Sequence, residues 1–162
     1  MPDGVPVTPT GPVPVQGRIV TVGPLTVPGI GTGAAYAAND QFGSLLLIPV
    51  PKRGAIVKAV FHDLDDEGLG KELWLFNSPR ITLAADNAAF SLADEDNLGL
   101  VDVLTFAVFK DAVNNQLGIT ADTPLWYAAP EGILWATVKT LGADNIAAGS
   151  LPALSFIIEV YD

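Results

Sequence analysis

The chain has 162 residues, enough for one ordinary domain, with 49 % hydrophobic residues, 16 % charged residues and a formal net charge of −10. The absence of cysteine excludes disulfide bonds, thiolate catalysis and cysteine zinc sites, and a single histidine excludes a multi-histidine metal site. Eight basic side chains are too few for a nucleic-acid-binding surface, and no apolar run is long enough to span a membrane, so neither is a predicted partner.

The first 30 residues are predicted to form an extended arm ahead of a body formed by residues 31–162. Proline is concentrated in this arm, and because proline fixes φ and lacks an N–H, the segment is predicted to be neither a helix nor a central strand. Valine and isoleucine alternate with the prolines, which is unusual for a solvated tail. The candidate partner-binding residues are Val5, Val7, Val13, Val15, Ile19, Val20 and Val22. Alternatively, residues 17–28 form the first strand of the domain itself.

From residue 42 onward, apolar and β-branched runs bounded by proline, glycine and asparagine predict a series of strands. The predicted strands are 42–50, 54–63, 72–77, 80–84, 101–109, 125–128, 132–141 and 151–161. One short helix is predicted over residues 91–100, with Ser91 as its N-cap. About eight strands separated by turns predict an all-β fold, a β-sandwich or jelly-roll-like body with one short helix.

Residues 63–72 contain five acidic side chains, which raises the question of a metal or catalytic site. Asp63, Asp65 and Glu67, followed by a glycine, reproduce the first half of an EF-hand loop, but its twelfth position is Trp74, where a bidentate glutamate is required. We therefore predict no metal site, with these three acids as the only candidate ligands.

Catalysis by two carboxylates needs acids held on facing rigid elements, which consecutive acids beside glycines do not provide. We predict no enzyme activity, no catalytic residue and no cofactor. The favoured interpretation is an exposed turn that joins two antiparallel neighbours, strands 54–63 and 72–77, with His62 as a half-buried structural side chain.

Five aromatic residues lie in predicted strands, where core packing is the favoured interpretation. They are Trp74, Phe76, Trp126, Tyr127 and Trp135. The alternative is a sugar-binding groove that uses Trp126 and Tyr127 as an exposed pair.

Three segments resemble small structural proteins encoded among the virion genes of tailed bacteriophages. They are AYAANDQFG (35–43), GAIVKAVFHDLDDEGLGKELWLFN (54–77) and ITLAADNAAFSLADED (81–96). The matching positions are Tyr36, Asp40, Gly43, Asp63, Leu73, Leu75, Phe76, Asp86, Asn87, Ala88, Ala89 and Phe90. The resemblance covers roughly residues 33–110 and does not include the arm.

The resemblance implies a non-enzymatic part of the particle, of the head decoration or cement type. The expected location is the exterior of the capsid, with the major capsid protein as partner and a homo-oligomer, taken as a trimer, as the assembled form. The alternative is a tail or fibre-associated protein, or a carbohydrate-binding β-sandwich module used in host attachment.

Overall fold

The structure, a computed structural model, describes residues 17–120 and 122–161. Ten strands in this part, numbered in chain order, form two antiparallel sheets with a shared core, so the all-β prediction is confirmed. The six-stranded sheet has the order β1 (Arg18–Thr26), β10 (Ala153–Val160), β3 (Arg53–Asp63), β7 (Gln116–Ile119) and β6 (Phe109–Asp111), and β8 (Leu125–Ala128) also pairs with β3. The four-stranded sheet has the order β2 (Gln41–Pro49), β9 (Ile133–Thr140), β4 (Lys71–Phe76) and β5 (Leu100–Phe106). Within the described residues, no helix is sufficiently long and apolar to cross a membrane.

The core lies between the two sheets because successive strand residues point to opposite faces. In β4, Leu73 and Leu75 point inward, and in β10 Phe156 and Ile158 do so; all four are fully buried. Tilted aromatic rings connect the sheets, since Phe61 of β3 lies 5.7 Å from Phe106 of β5 between ring centroids. Such pairs add to the stability that their buried area gives.

The first described strand belongs to the body and not to a separate arm. β1 pairs antiparallel with β10 from Arg18 opposite Val160 to Thr26 opposite Ala153. This pairing agrees with the alternative for residues 17–28, in which they form the first strand of the domain. Packing against the core by Val20, Val22 and Leu25 explains why apolar residues alternate in this segment.

The acidic segment does not join neighbouring strands, which corrects that interpretation. β3 lies in the six-stranded sheet and β4 in the four-stranded sheet, so residues 64–70 cross from one sheet to the other. Residues 141–152, between β9 and β10, make a second crossing in the opposite direction. We call these the first and second crossover.

Residues 77–99 cover the outer face of the four-stranded sheet. The predicted strand at 80–84 is absent, and the predicted helix is reduced to a 3-10 turn, Asp96–Gly99, without a side-chain cap. Phe90 from this segment packs on Trp74 of β4, with ring centroids 5.2 Å apart. Asp96 is buried and accepts a hydrogen bond from the Thr82 N–H at 2.9 Å, because the segment folds back on itself instead of forming a solvated helical turn.

Candidate functional site

Three of the positions that carry the virion-protein resemblance, Tyr36, Gly43 and Asp86, meet at the carboxylate of Asp86. This carboxylate accepts hydrogen bonds from the Gly31 N–H at 2.8 Å, the Tyr36 hydroxyl at 2.8 Å and the Gly43 N–H at 2.6 Å. Burial and the hydrogen bond to Asp86 raise the pKa of Tyr36, so the phenol keeps its proton. Asp86 is therefore the anchor that joins residues 31–36 and 43 to its own segment.

The backbone around this anchor requires particular residue types. Gly43 lies in a bulge of β2 with φ at 77°, and a Cβ there would lie 2.5 Å from the Pro28 carbonyl oxygen. Asn87 has φ at 60°, which asparagine tolerates better than most residues, and its N–H donates to the Gln41 carbonyl. The resemblance therefore maps onto a structural anchor and not onto a cleft.

The carboxylates of Asp63 and Asp65 bind different backbone groups and do not converge on one point. Asp63 accepts backbone N–H groups with both oxygens, from Asp65 at 3.1 Å and from Gly68 at 2.6 Å. Asp65 accepts the N–H of Ala147 at 2.9 Å and so connects the first crossover to the second. Across residues 17–120 and 122–161, no group of three or more His, Asp or Glu side chains is placed to hold a metal ion.

A buried ion pair lies where the two crossovers meet. The Nζ atom of Lys71 is 2.8 Å from Oδ1 of Asp144, and both side chains are 1 % exposed. The hydroxyl of Thr140 donates to Oδ2 of the same carboxylate, and Lys71 Nζ also donates to the Leu69 carbonyl at 2.7 Å. The rings of Phe42, Phe61 and Phe109 surround the amine at 5.2–5.8 Å.

Burial sets the protonation of this cluster. Desolvation lowers the pKa of the Lys71 amine, and the charge of Asp144 partly opposes that shift. Desolvation and the nearby charge of Asp144 raise the pKa of Glu67. A lowered lysine pKa raises the fraction of neutral amine, and the neutral amine is the form of lysine that acts as a nucleophile.

Sequence reasoning missed Lys71 and Asp144, although a signal existed for the lysine. Lys71 has the same strand parity as Leu73 and Leu75, which places it on the buried face of β4. Asp144 lies in a loop, and no pattern in the sequence distinguishes it from an exposed acid. Only the fold brings the two residues together.

His62 is half-buried, as predicted, and Nε2 lies 2.9 Å from the Ser155 hydroxyl oxygen. Burial lowers the pKa of its imidazole below the ordinary 6.5. The unfolded chain therefore binds more protons below that pH, and stability falls as the pH drops from 6.5 through the lowered value.

In thermal unfolding at a series of pH values, His62→Gln should lose part of this fall in Tm. Ser155→Ala, which keeps the imidazole, should retain it; equal pH profiles for His62→Gln and the wild type would contradict the assignment.

The outer face of the six-stranded sheet carries exposed apolar side chains, and we call it the apolar face. Its exposed members are Ile19, Ile119 and Trp126, and the half-buried Val60 and Ile157 lie between them, beside the charged Lys58 and Glu159. Direct cross-strand pairs define it: Ile19 is opposite Glu159, Glu159 opposite Ala55, and Ala55 opposite Trp126. Ile19 is 57 % exposed and Trp126 63 % exposed. In contrast to Trp74 of the four-stranded sheet, on which Phe90 packs, Ile19 and Ile119 remain exposed on this face.

The predicted partner-binding residues divide into three groups. Val5, Val7, Val13 and Val15 lie outside the described residues. Val20 and Val22 pack on the core, so they are not available to a partner in this structure. Ile19 is exposed on the apolar face, and β1 forms the edge of the sheet.

The predicted aromatic residues also divide. Phe76, Tyr127 and Trp135 are buried and Trp74 is half-buried, as expected for strand packing. Trp126 is the exception, and its partner is not the buried Tyr127 but Tyr161, with ring centroids 4.8 Å apart.

A depression of about 680 Å³ lies between residues 77–82 and 95–99. Its lining includes Arg80 and Glu95 on the rim and Leu98, which is 89 % exposed. The carboxylate of Asp96 in this lining is already bonded to the backbone of Thr82. The depression therefore offers no pair of free facing carboxylates.

Comparison of the chain with protein-family models, curated proteins and solved structures found no match. The geometry described above is thus the basis for a functional proposal.

Proposed function

We propose that this protein is a virion structural protein that binds the outside of a phage head and clamps neighbouring capsid subunits. The single observation that carries the proposal is the apolar face. Isoleucine and tryptophan side chains that are exposed on one sheet face do not stabilise a monomer in water. A partner that covers them removes this apolar surface from water, which favours binding.

The rest of the surface supports an adhesive role on one side only. The outer face of the four-stranded sheet is covered by residues 77–99 and carries an ion pair, Lys139–Glu72, at 2.7 Å. Sixteen of the eighteen acids lie in residues 61–162. In our proposal the acidic surface faces solvent, while the apolar face and the adjoining β1 edge face the shell.

The β1 edge fits the same role. An edge strand presents unpaired N–H and C=O groups that can accept another strand from a neighbouring chain. Pairing across subunit seams supplies modest contacts that are repeated over the whole shell, and many weak contacts acting together stabilise a closed particle. A symmetric homo-oligomer and the major capsid protein are the proposed partners.

Binding to heads tests this function. With heads from the phage that encodes the chain, cosedimentation of an Ile19→Ser/Trp126→Ser variant should show at least about tenfold weaker binding, because a central tryptophan commonly dominates an interface. The control is Leu98→Ser, at an even more exposed apolar residue outside the apolar face, which should bind like the wild type. Absence of the chain from purified particles, or unchanged binding of the double variant, would reject the proposal.

Deletion of residues 1–16 addresses the proposed arm in the same assay. We expect the truncated protein to keep its circular dichroism spectrum and to bind heads more weakly than the full chain. If the truncated protein unfolds instead, those residues contribute to the body and not to docking.

A carbohydrate-binding module for host attachment is the second candidate, and the exposed Trp126–Tyr161 stack favours it. Sugars bind to exposed aromatic faces, so calorimetry with host glycans is the discriminating measurement. Glycan binding that Trp126→Ala abolishes, without any binding to heads, would support this candidate.

A further inference from the structure

We propose that Lys71 and Asp144 become joined by an intramolecular isopeptide bond, so that the mature protein carries a covalent link between β4 and the second crossover. The inference goes beyond the proposed function and does not depend on it. It assigns a self-modification site to a pair that otherwise serves only as an ion pair.

The contacts hold the reacting groups in place. Lys71 Nζ lies 2.8 Å from Oδ1 of Asp144, so the carboxyl carbon is only one bond further away. Oδ2 is occupied by the Thr140 hydroxyl, which leaves Oδ1 as the oxygen that faces the amine. The Leu69 carbonyl accepts a second hydrogen bond from Nζ and restricts its orientation. Holding two groups at contact distance in this way strongly accelerates their reaction.

The surroundings favour the neutral forms that must react. Both side chains are 1 % exposed, and Phe42, Phe61 and Phe109 enclose the amine. An ion pair in such a site recovers little of its desolvation cost, whereas an amide bond carries no charge. Desolvation also lowers the pKa of Lys71, which favours the neutral amine.

The step balances without any other reactant. Nζ passes one proton to Oδ1, which gives a neutral amine and a carboxylic acid. The nitrogen lone pair then attacks the carboxyl carbon, and the C–N bond forms while the negative charge develops on Oδ2. The Thr140 hydroxyl donates to that oxygen and stabilises the charge.

Release of water completes the reaction. A second proton moves from nitrogen to Oδ1, the C–Oδ1 bond breaks, and Oδ1 leaves as water. Oδ2 becomes the amide oxygen, and the one remaining N–H still has the Leu69 carbonyl as acceptor. An ammonium and a carboxylate are thus converted into one amide and one water molecule.

Mass spectrometry of the full-length protein tests the proposal. The intact mass of the purified, denatured wild type should be lower than the sequence mass by one water molecule. Trypsin should then yield a branched peptide made of residues 59–80 and 140–162, since a linked Lys71 is not cleaved. The matched control is Lys71→Arg, which keeps the charge but provides no amine to react, and its intact mass should equal its sequence mass.

Each alternative result overturns the proposal. A wild-type mass equal to the sequence mass, after prolonged incubation of folded protein, would mean that the pair is only an ion pair. Loss of water confined to the 140–162 peptide, or kept in Lys71→Arg, would mean cyclisation of the aspartate itself. Neither result requires a variant that might fail to fold, because the wild-type mass and the wild-type peptides decide between them.

Discussion

Replacing Lys71 with methionine is expected to lower the free energy of unfolding by about 3–5 kcal/mol relative to wild-type protein whose pair is still ionic, the range found when one partner of a buried charge pair is removed. The carboxylate of Asp144 would keep only the Thr140 hydroxyl as a described side-chain partner and would stay 1 % exposed. Urea unfolding followed by tryptophan fluorescence measures the effect, with C_m compared at unchanged m-value.

A double variant separates buried charge from lost packing. Lys71→Met/Asp144→Leu removes both charges, so it should be less destabilised than either single variant, as for other buried pairs exchanged for apolar residues. Lys110→Met, at an exposed lysine of β6, is the matched control and should change stability by less than about 0.5 kcal/mol. Additive losses in the double variant would show that Lys71 and Asp144 do not act as a pair.

Replacing Asp86 with alanine is expected to cost roughly 3 kcal/mol, because it leaves several donors without their acceptor. The Gly43 N–H and the Tyr36 hydroxyl are both in buried residues, and the Gly31 N–H is also released. The loss should appear as a lower C_m, together with faster hydrogen exchange of the Gly31 and Gly43 amides.

Graded substitutions test the anchor further. Tyr36→Phe removes one hydroxyl and keeps the tilted ring contact with Phe42, at 4.9 Å between centroids, so it should cost only about 1 kcal/mol. Asp94→Ala, at an exposed acid nearby in sequence, is the control. If Asp86→Ala costs no more than Asp94→Ala, the network around Asp86 does not stabilise the fold.

Most of the strands could be predicted from local sequence. β2, β3, β4, β8, β9 and β10 each begin and end within about two residues of the predicted bounds, since each is an apolar run between turn-forming residues. β7 was missed because it contains only four residues, with a glycine among them. The predicted strand 101–109 corresponds to β5 and includes only Phe109 of β6, because the chain moves from one sheet to the other between Phe106 and Phe109.

Sheet membership could not be predicted, because pairing depends on contacts between residues distant in sequence. A short acidic connection between two apolar runs can form a hairpin within one sheet or a crossover between two sheets. Residues 64–70 form a crossover. The same limit affected Asp86, Asp96 and Asp144. Each lies outside the strands, yet each accepts hydrogen bonds in a buried or partly buried site once distant segments come together.

The position of β10 has a consequence for biosynthesis. This last strand lies between β1 and β3 and is the described pairing partner of β1. A ribosome delivers the chain from its N-terminus, so β1 waits until β10, the described strand most distant from it in sequence, has been translated before it can dock. Losing the final strand through a premature stop codon would leave both β1 and one edge of β3 without a partner, and exposed edges of this kind promote aggregation.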